Sequence, residues 1–143
     1  MLERIVAVSG GFDPLHVGHV RMIQEAAKLG TRLVVIVNGD EFLLRKKGYA
    51  FMPLEERVEL VRALRGVDEV VAAIDRDQTV CETLRLVRPH VFANGGDRRN
   101  MDEIPESVVC RELGIEMVFN VGGGKIQSSS ELVQRAPASR TRQ

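Results

Sequence analysis

The 143-residue chain is poor in the features that mark several large protein classes. It has no tryptophan, one tyrosine and two cysteines, and its 20 basic residues balance 20 acidic ones. Because aromatic side chains are scarce and the net charge is zero, we expect neither a base-stacking platform nor a broad basic face for nucleic acid. Cys81 and Cys110 are far apart in sequence and lie in predicted helices, so reduced, packed thiols are expected instead of a disulfide framework.

Long hydrophobic runs are also absent. No apolar stretch approaches the ~20 residues that span a bilayer, so no membrane is expected as a partner. The chain opens with Met1-Leu2-Glu3-Arg4 and enters an apolar run at once, which leaves no room for a signal peptide. We therefore expect a cytoplasmic protein with one domain, residues 1–136, followed by a flexible polar tail, residues 137–143.

Strands and helices alternate along the sequence. Apolar runs predict buried strands at 5–8, 33–37, 70–74, 91–93 and 116–119. Continuous apolar strands separated by amphipathic helices predict an α/β fold: a single doubly wound, Rossmann-like domain with a five-stranded parallel sheet. Such sheets bind ligands beyond the carboxyl ends of their strands, and polar clusters follow four of the five predicted strands.

The first of these clusters, residues 10–19, reads GGFDPLHVGH and joins the first strand to the first predicted helix. Helix N-termini bind phosphate through unpaired backbone N–H groups and a positive dipole end. Gly10, Gly11 and Gly18 allow backbone to approach an anion closely. His16 and His19 are three residues apart and face the same way on a helical turn. The segment therefore predicts a phosphate-handling site and lacks the GxGxxG spacing of a dinucleotide fingerprint.

Two other interpretations of the histidine pair remain open. A metal could use the same spacing with Asp13 as a third ligand, although no cysteine lies close. The histidines could also be structural, which is our interpretation of His90.

Further candidates follow the other strands. Asp40 is a candidate substrate-binding residue after the second strand. Lys46 and Lys47 lie in a predicted loop, from which a cation could close onto a triphosphate; the alternative is two solvated surface lysines. Arg57, in the first turns of a helix, is either a phosphate clamp or an ordinary helix-surface charge.

Two glycine-rich segments complete the predicted site. Gly95, Gly96 and Asp97 suit a ribose, base or magnesium contact, or form a plain turn. Ser128, Ser129 and Ser130 could bind a second phosphate, or one of them could serve only as a helix N-cap.

With these residues in view, the chain resembles the HxGH nucleotidyltransferases over about residues 4–135, in particular the cytidylyltransferase-like branch. That branch includes glycerol-3-phosphate cytidylyltransferase, the adenylyltransferase domain of ADP-heptose synthesis and archaeal FAD synthase. The resemblance implies that His16 and His19 hold the triphosphate and stabilise the α-phosphorus. It implies a catalytic loop lysine, Lys46 or Lys47, with Lys47 preferred because it precedes Gly48 as in the heptose-type relatives.

The resemblance also implies a set of residues that contact the nucleotide. These are Gly10, Gly11, Phe12, Asp13, Gly18, Arg57, Gly95, Gly96, Asp97, Ser128, Ser129 and Ser130. The sequence departs from the glycerol-phosphate enzymes in two places: Gly123 replaces an arginine, and Gly66 replaces the tyrosine of an otherwise similar RYVDEV element.

The implied reaction is an in-line attack by the phosphate of a small phosphorylated alcohol or sugar on the α-phosphorus of CTP or ATP, releasing pyrophosphate. Mg²⁺ is the expected cofactor, bound mainly through the triphosphate. The VDEV element, residues 67–70, favours CMP over AMP as the transferred group. The alternatives are a heptose-phosphate or FMN adenylyltransferase, a non-catalytic nucleotide sensor, and a phosphate-ester hydrolase. Relatives are commonly homodimers, so a homodimer is expected.

Overall fold

The computed structural model describes residues 2–96 and 104–122. The elements in these ranges alternate along the chain: β1 (Ile5–Gly10), α1 (Val17–Ala27), β2 (Arg32–Val37), α2 (Asp40–Lys47), α3 (Leu54–Arg62), β3 (Glu69–Ala72), α4 (Cys81–Val87), β4 (Val91–Ala93), α5 (Pro105–Leu113) and β5 (Glu116–Val118). Asp97, Ser128–Ser130, Gly123 and the tail at 137–143 lie outside the described residues.

The strands form one parallel sheet in the order β3-β2-β1-β4-β5. The chain winds outward from β1 to β2 and β3, then returns to place β4 on the other side of β1. The winding therefore reverses between β1 and β4, and ligands of doubly wound sheets bind at such a point. The predicted α/β fold with a five-stranded parallel sheet is confirmed.

Helices cover both faces of the sheet. Successive side chains of β1 point to opposite faces, so its apolar residues are buried on both. Val6 and Val8 pack with Ile23 of α1 and Val61 of α3 on one face. Ala7 lies on the other face, in a cluster that takes Leu84 from α4 and Val109 and Cys110 from α5. No helix within residues 2–96 and 104–122 is long and apolar enough to cross a membrane.

The largest difference from the sequence prediction is α2. Residues 45–48 were predicted as a loop, but Arg45–Lys47 form the last turn of this helix, which ends at Gly48 with a φ of 88°. Only Leu43 is buried on α2, so the sequence shows no apolar periodicity there. The charge pattern was the available signal, because two acidic residues open the helix and three basic residues close it.

Smaller differences concern element ends. α1 begins at Val17, three residues before the predicted start, because His16 caps it. β3 ends at Ala72 and β5 at Val118, so the apolar residues Ile74 and Phe119 lie beyond the paired strands.

Candidate active site

The two histidines of the opening segment form the start of α1. His16 is the N-cap in extended conformation, and its Nδ1 accepts a hydrogen bond from the backbone N–H of Gly18 at 3.1 Å. His19 reaches back, and its Nδ1 accepts from the backbone N–H of His16 at 3.2 Å. The rings stack with centroids 3.8 Å apart and planes 19° from parallel. The pair is therefore fixed as one unit by the helix start.

These hydrogen bonds also determine where each ring carries its proton. A neutral imidazole has one donor and one acceptor nitrogen, and both Nδ1 atoms here accept from backbone N–H groups. In the neutral form of each ring the proton is therefore on Nε2. Each neutral histidine can donate a hydrogen bond from Nε2 to an anion without being protonated first.

The turn before the histidines packs tightly. Phe12 adopts a positive φ of 52°, is buried, and meets His19 edge-on at 5.0 Å between ring centroids. A Cβ at Gly10 would lie 3.0 Å from the Phe12 ring, one at Gly11 2.8 Å from Leu43, and one at Gly18 2.9 Å from the His16 ring. These glycines therefore leave room for protein side chains, whereas the sequence-based interpretation attributed all three to the approach of an anion.

The side chain of Asp13 is buried and contacts backbone groups of another segment of the protein. Asp13 is 1% exposed, and its carboxylate accepts hydrogen bonds at 2.6 Å from the backbone N–H groups of Phe51 and Met52. Asp13 thus joins the strand–helix turn to the segment before α3. Among residues 2–96 and 104–122, no group of three or more His, Cys, Asp or Glu side chains is placed to hold a metal ion.

The structure separates the two candidate lysines. The Lys47 ammonium lies 2.9 Å from the Asp13 carbonyl oxygen and 3.4 Å from its carboxylate, and the side chain is 13% exposed. Lys46 is exposed, with its ammonium over the Phe42 ring. Lys47, the preferred residue of the pair, is the one that contacts the opening segment. Both belong to a helical turn, which corrects the predicted loop.

Arg57 is fully buried, so it is not an ordinary helix-surface charge. Its Nε donates to the Met52 carbonyl, its Nη1 to the carbonyls of Gly11 and Asn38, and its Nη2 to the Asp40 carboxylate. Arg57 therefore ties together four segments at the carboxyl edge of the sheet.

The remaining predicted residues surround this edge. Asp40 is the first residue of α2, with a half-exposed carboxylate paired to Arg57 at 2.6 Å. Gly95 and Gly96 follow β4, the neighbour of β1, and the Gly96 carbonyl accepts from the backbone N–H of Asn120. The structure thus brings the predicted residues of the β1, β2 and β4 ends to one edge.

Two further residues lie at this edge. Asn38, at the end of β2, is buried with its side-chain oxygen Oδ1 unpaired in the described structure. Tyr49 lies 4.8 Å, centroid to ammonium, from Lys47. Asn38 belongs to the polar cluster predicted after the second strand. Sequence reasoning missed Tyr49, because nothing local indicates that it folds back onto Lys47.

Comparison with known proteins assigns the family. Residues 7–135 match the model of the cytidylyltransferase-like family. The chain is 41% identical over 123 residues to the bifunctional protein HldE of Methylococcus capsulatus, and 43% identical over 117 residues to that of Streptomyces coelicolor. These alignments cover 85% and 80% of this chain but only 24% and 25% of the relatives. The chain thus spans about a quarter of the length of the curated relatives that it matches.

Solved structures agree. A lipopolysaccharide core biosynthesis protein from Thermoplasma volcanium superposes with a TM-score of 0.68 at 26% identity, covering 82% of this chain and 96% of that one. Pantothenate synthetase from Thermus thermophilus superposes with a TM-score of 0.63 at 16% identity, covering 99% of this chain and 64% of that one, and shares the fold. The family match over residues 7–135, together with the curated relatives, shows that the chain belongs to the cytidylyltransferase-like family.

Proposed function

We propose that the chain is an adenylyltransferase that moves AMP from ATP to the phosphate of a heptose phosphate and releases pyrophosphate. The observation that carries the chemistry is the histidine pair, in which both Nδ1 atoms accept from backbone N–H groups and leave Nε2–H as the donor of each neutral ring. The choice of AMP and of a heptose phosphate is supported by the similarity to the bifunctional HldE proteins.

The position of the VDEV element removes the sequence-based reason for preferring CMP. The Asp68 carboxylate accepts a hydrogen bond from the backbone N–H of Leu33, and Glu69 pairs with Arg32. Both contacts lie where β2 and β3 begin, at the amino edge of the sheet, opposite the candidate site. The position of this element therefore gives no support to a choice of cytosine over adenine.

In the proposed reaction a phosphate oxygen of the sugar attacks the α-phosphorus of ATP. The new P–O bond forms as the bond to the bridging oxygen breaks, and pyrophosphate leaves with that electron pair. Negative charge on the transferring group is stabilised by Nε2–H donors from His16 and His19 and by the Lys47 ammonium. Because backbone hydrogen bonds hold both rings, the donors need no reorganisation as charge develops.

Mg²⁺, when bound, supplies charge neutralisation across the triphosphate. The carboxylate of the opening segment, on Asp13, is engaged by two backbone N–H groups and by Lys47. The donor set therefore fits a magnesium ion held mainly by the phosphate oxygens of ATP.

Replacement of the histidines tests the proposal. His16→Ala and His19→Ala should each lower kcat by about 100-fold or more, as does removal of a preorganised donor to a transition-state anion. His16→Asn separates this role from capping, because asparagine is a good N-cap but has no Nε2–H. It should retain the melting temperature and still lose kcat.

His90 offers a matched control, because its Nδ1 accepts from the backbone N–H of Ile5 at the amino edge of the sheet. His90→Gln should leave kcat near that of the wild type. Near-normal turnover in both His16→Ala and His19→Ala would refute the mechanism.

A pyrophosphate-release screen tests substrate choice by crossing ATP and CTP with a heptose phosphate, glycerol 3-phosphate and FMN. Release that needs both ATP and the heptose phosphate, and that stops with EDTA, is the expected result. Release from CTP with glycerol 3-phosphate would overturn the choice of substrates, and phosphate-ester hydrolysis without a nucleotide would overturn the transfer reaction. Binding of ATP without turnover would favour a nucleotide sensor.

A further inference from the structure

Two adjacent lysines at the end of α2 each lie against an aromatic ring. The Lys47 ammonium is 4.8 Å from the centroid of the Tyr49 ring, and the Lys46 ammonium is 5.7 Å from the centroid of the Phe42 ring. Only Lys47 also contacts the opening segment, through Asp13. The chain thus contains two similar cation–ring pairs, of which one reaches the candidate active site.

The turn after α2 explains how Tyr49 reaches Lys47. Gly48 ends the helix in the left-handed region with a φ of 88°, and its N–H closes the last turn on the Leu44 carbonyl. This reversal brings the next residue, Tyr49, back over the helix end. Two residues later the backbone is anchored again, where the N–H groups of Phe51 and Met52 bind the Asp13 carboxylate. Tyr49 is therefore held between two fixed points.

The contacts of the Lys47 ammonium differ in strength. An ammonium has three N–H donors, and the Asp13 carbonyl oxygen accepts one of them at 2.9 Å. The carboxylate contact of 3.4 Å is longer than an ordinary N–H···O hydrogen bond. The Tyr49 ring attracts the cation through its quadrupole. The ring and the carbonyl can therefore hold the ammonium while a phosphate oxygen replaces the long carboxylate contact.

We propose that Tyr49 is a positioning residue for the proposed adenylyl transfer, and that its ring holds the Lys47 ammonium beside the histidine turn. The inference rests on the proposed function. We expect Tyr49 to act on the transition state more than on ATP binding. The Lys47 ammonium is already in place when negative charge develops during the reaction, so it does not have to move in from solvent.

The test compares variants of Tyr49 with one of Phe42. Tyr49→Phe keeps a ring and should retain kcat within about twofold, whereas Tyr49→Leu should lower kcat about 5- to 30-fold with a smaller change in the KM for ATP. Phe42→Leu removes the equivalent ring from Lys46 and should leave kcat within about twofold of the wild type. Melting temperatures establish that each variant is folded.

A double-mutant cycle separates positioning from a general structural role. If Tyr49 acts through Lys47, Tyr49→Leu should have little further effect on kcat in a Lys47→Ala background. An undiminished effect in that background would overturn the inference. Equal losses in Tyr49→Phe and Tyr49→Leu, or in Phe42→Leu and Tyr49→Leu, would also overturn it.

Lysine labelling provides a readout that does not depend on activity. Acetylation followed by mass spectrometry should show that Lys47 is protected in the wild type and in Tyr49→Phe. In Tyr49→Leu the acetylation of Lys47 should be faster. Exposed Lys46 serves as the internal reference. If the wild type is active but Lys47 labelling is unchanged in Tyr49→Leu, the positioning role of Tyr49 is overturned and the proposed function stands. Absence of pyrophosphate release by the wild type would instead overturn the proposed function and the positioning role with it.

Discussion

Replacing Arg57 by methionine should strongly destabilise the fold, because this buried cation joins four segments at the carboxyl edge of the sheet. Its side chain is 0% exposed, and it donates to the carbonyls of Met52, Gly11 and Asn38 at 2.9, 2.9 and 2.6 Å. Methionine fills most of the same volume with apolar atoms, so little cavity remains. The loss of stability should therefore come mainly from the lost hydrogen bonds.

The magnitude follows from those bonds. Hydrogen bonds to a charged group contribute about 1.5–3 kcal/mol each, so three carbonyls account for roughly 5–9 kcal/mol of lost interaction. Returning the guanidinium to water offsets several kcal/mol of this, because burial of a charge is costly. The free energy of unfolding should therefore fall by about 3–5 kcal/mol, as found when one partner of a buried charge pair is removed.

Urea unfolding followed by circular dichroism measures this change. Asp40→Asn is the matched control, because it removes the one ionic partner of Arg57 but leaves the three carbonyl contacts. The Asp40 side chain is 45% exposed, so this variant should cost no more than about 1 kcal/mol. A loss below about 1 kcal/mol for Arg57→Met would refute the structural role. An Arg57→Lys variant that keeps its stability but has a raised KM for ATP would instead indicate a direct contact of Arg57 with phosphate.

Two further predictions concern residues away from the site. Burial raises the pKa of the Cys110 thiol to about 11, so Ellman's reagent at pH 8 should react with partly exposed Cys81 first. Because an unfolded thiol ionises near pH ~8.5, the free energy of unfolding should fall as pH rises from there towards 11, with a shallower fall in Cys110→Ala. A Cβ at Gly30 would collide with the Arg4 carbonyl oxygen, so Gly30→Ala should lower stability by about 1–3 kcal/mol in urea unfolding.

The central strands could be predicted from sequence because both faces of the sheet are covered. β1, β2 and β4 are buried on both sides and show as continuous apolar runs, and the helices between them set the parallel order. The edge strands β3 and β5 were predicted to extend too far, because their apolar runs continue to Ile74 and Phe119, beyond the strand ends at Ala72 and Val118. The helix α2 was missed because a helix with one buried residue has no apolar stripe.

The arrangement of the histidine pair could be predicted because its contacts are local. His16 and His19 are three residues apart, and their hydrogen bonds involve only the first turn of α1. The partners of Arg57 and Asp13 could not be predicted in the same way. Arg57 contacts a carbonyl 46 residues away, and Asp13 accepts from N–H groups 38 and 39 residues away. Such contacts depend on the order of strands in the sheet, which carries no local signal.

The two cations at this edge show why residue type alone did not assign their roles. Arg57 is fully buried, and all four of its contacts lie between 2.6 and 2.9 Å. Lys47 is partly exposed, and its contact with the Asp13 carboxylate is 3.4 Å. A phosphate oxygen can compete for the long contact at little cost, whereas competition for Arg57 would leave backbone carbonyls buried without a donor. In the proposed reaction Lys47 is therefore the cation expected to transfer its interaction to a substrate, and Arg57 is the one expected to keep the edge in place while it does so.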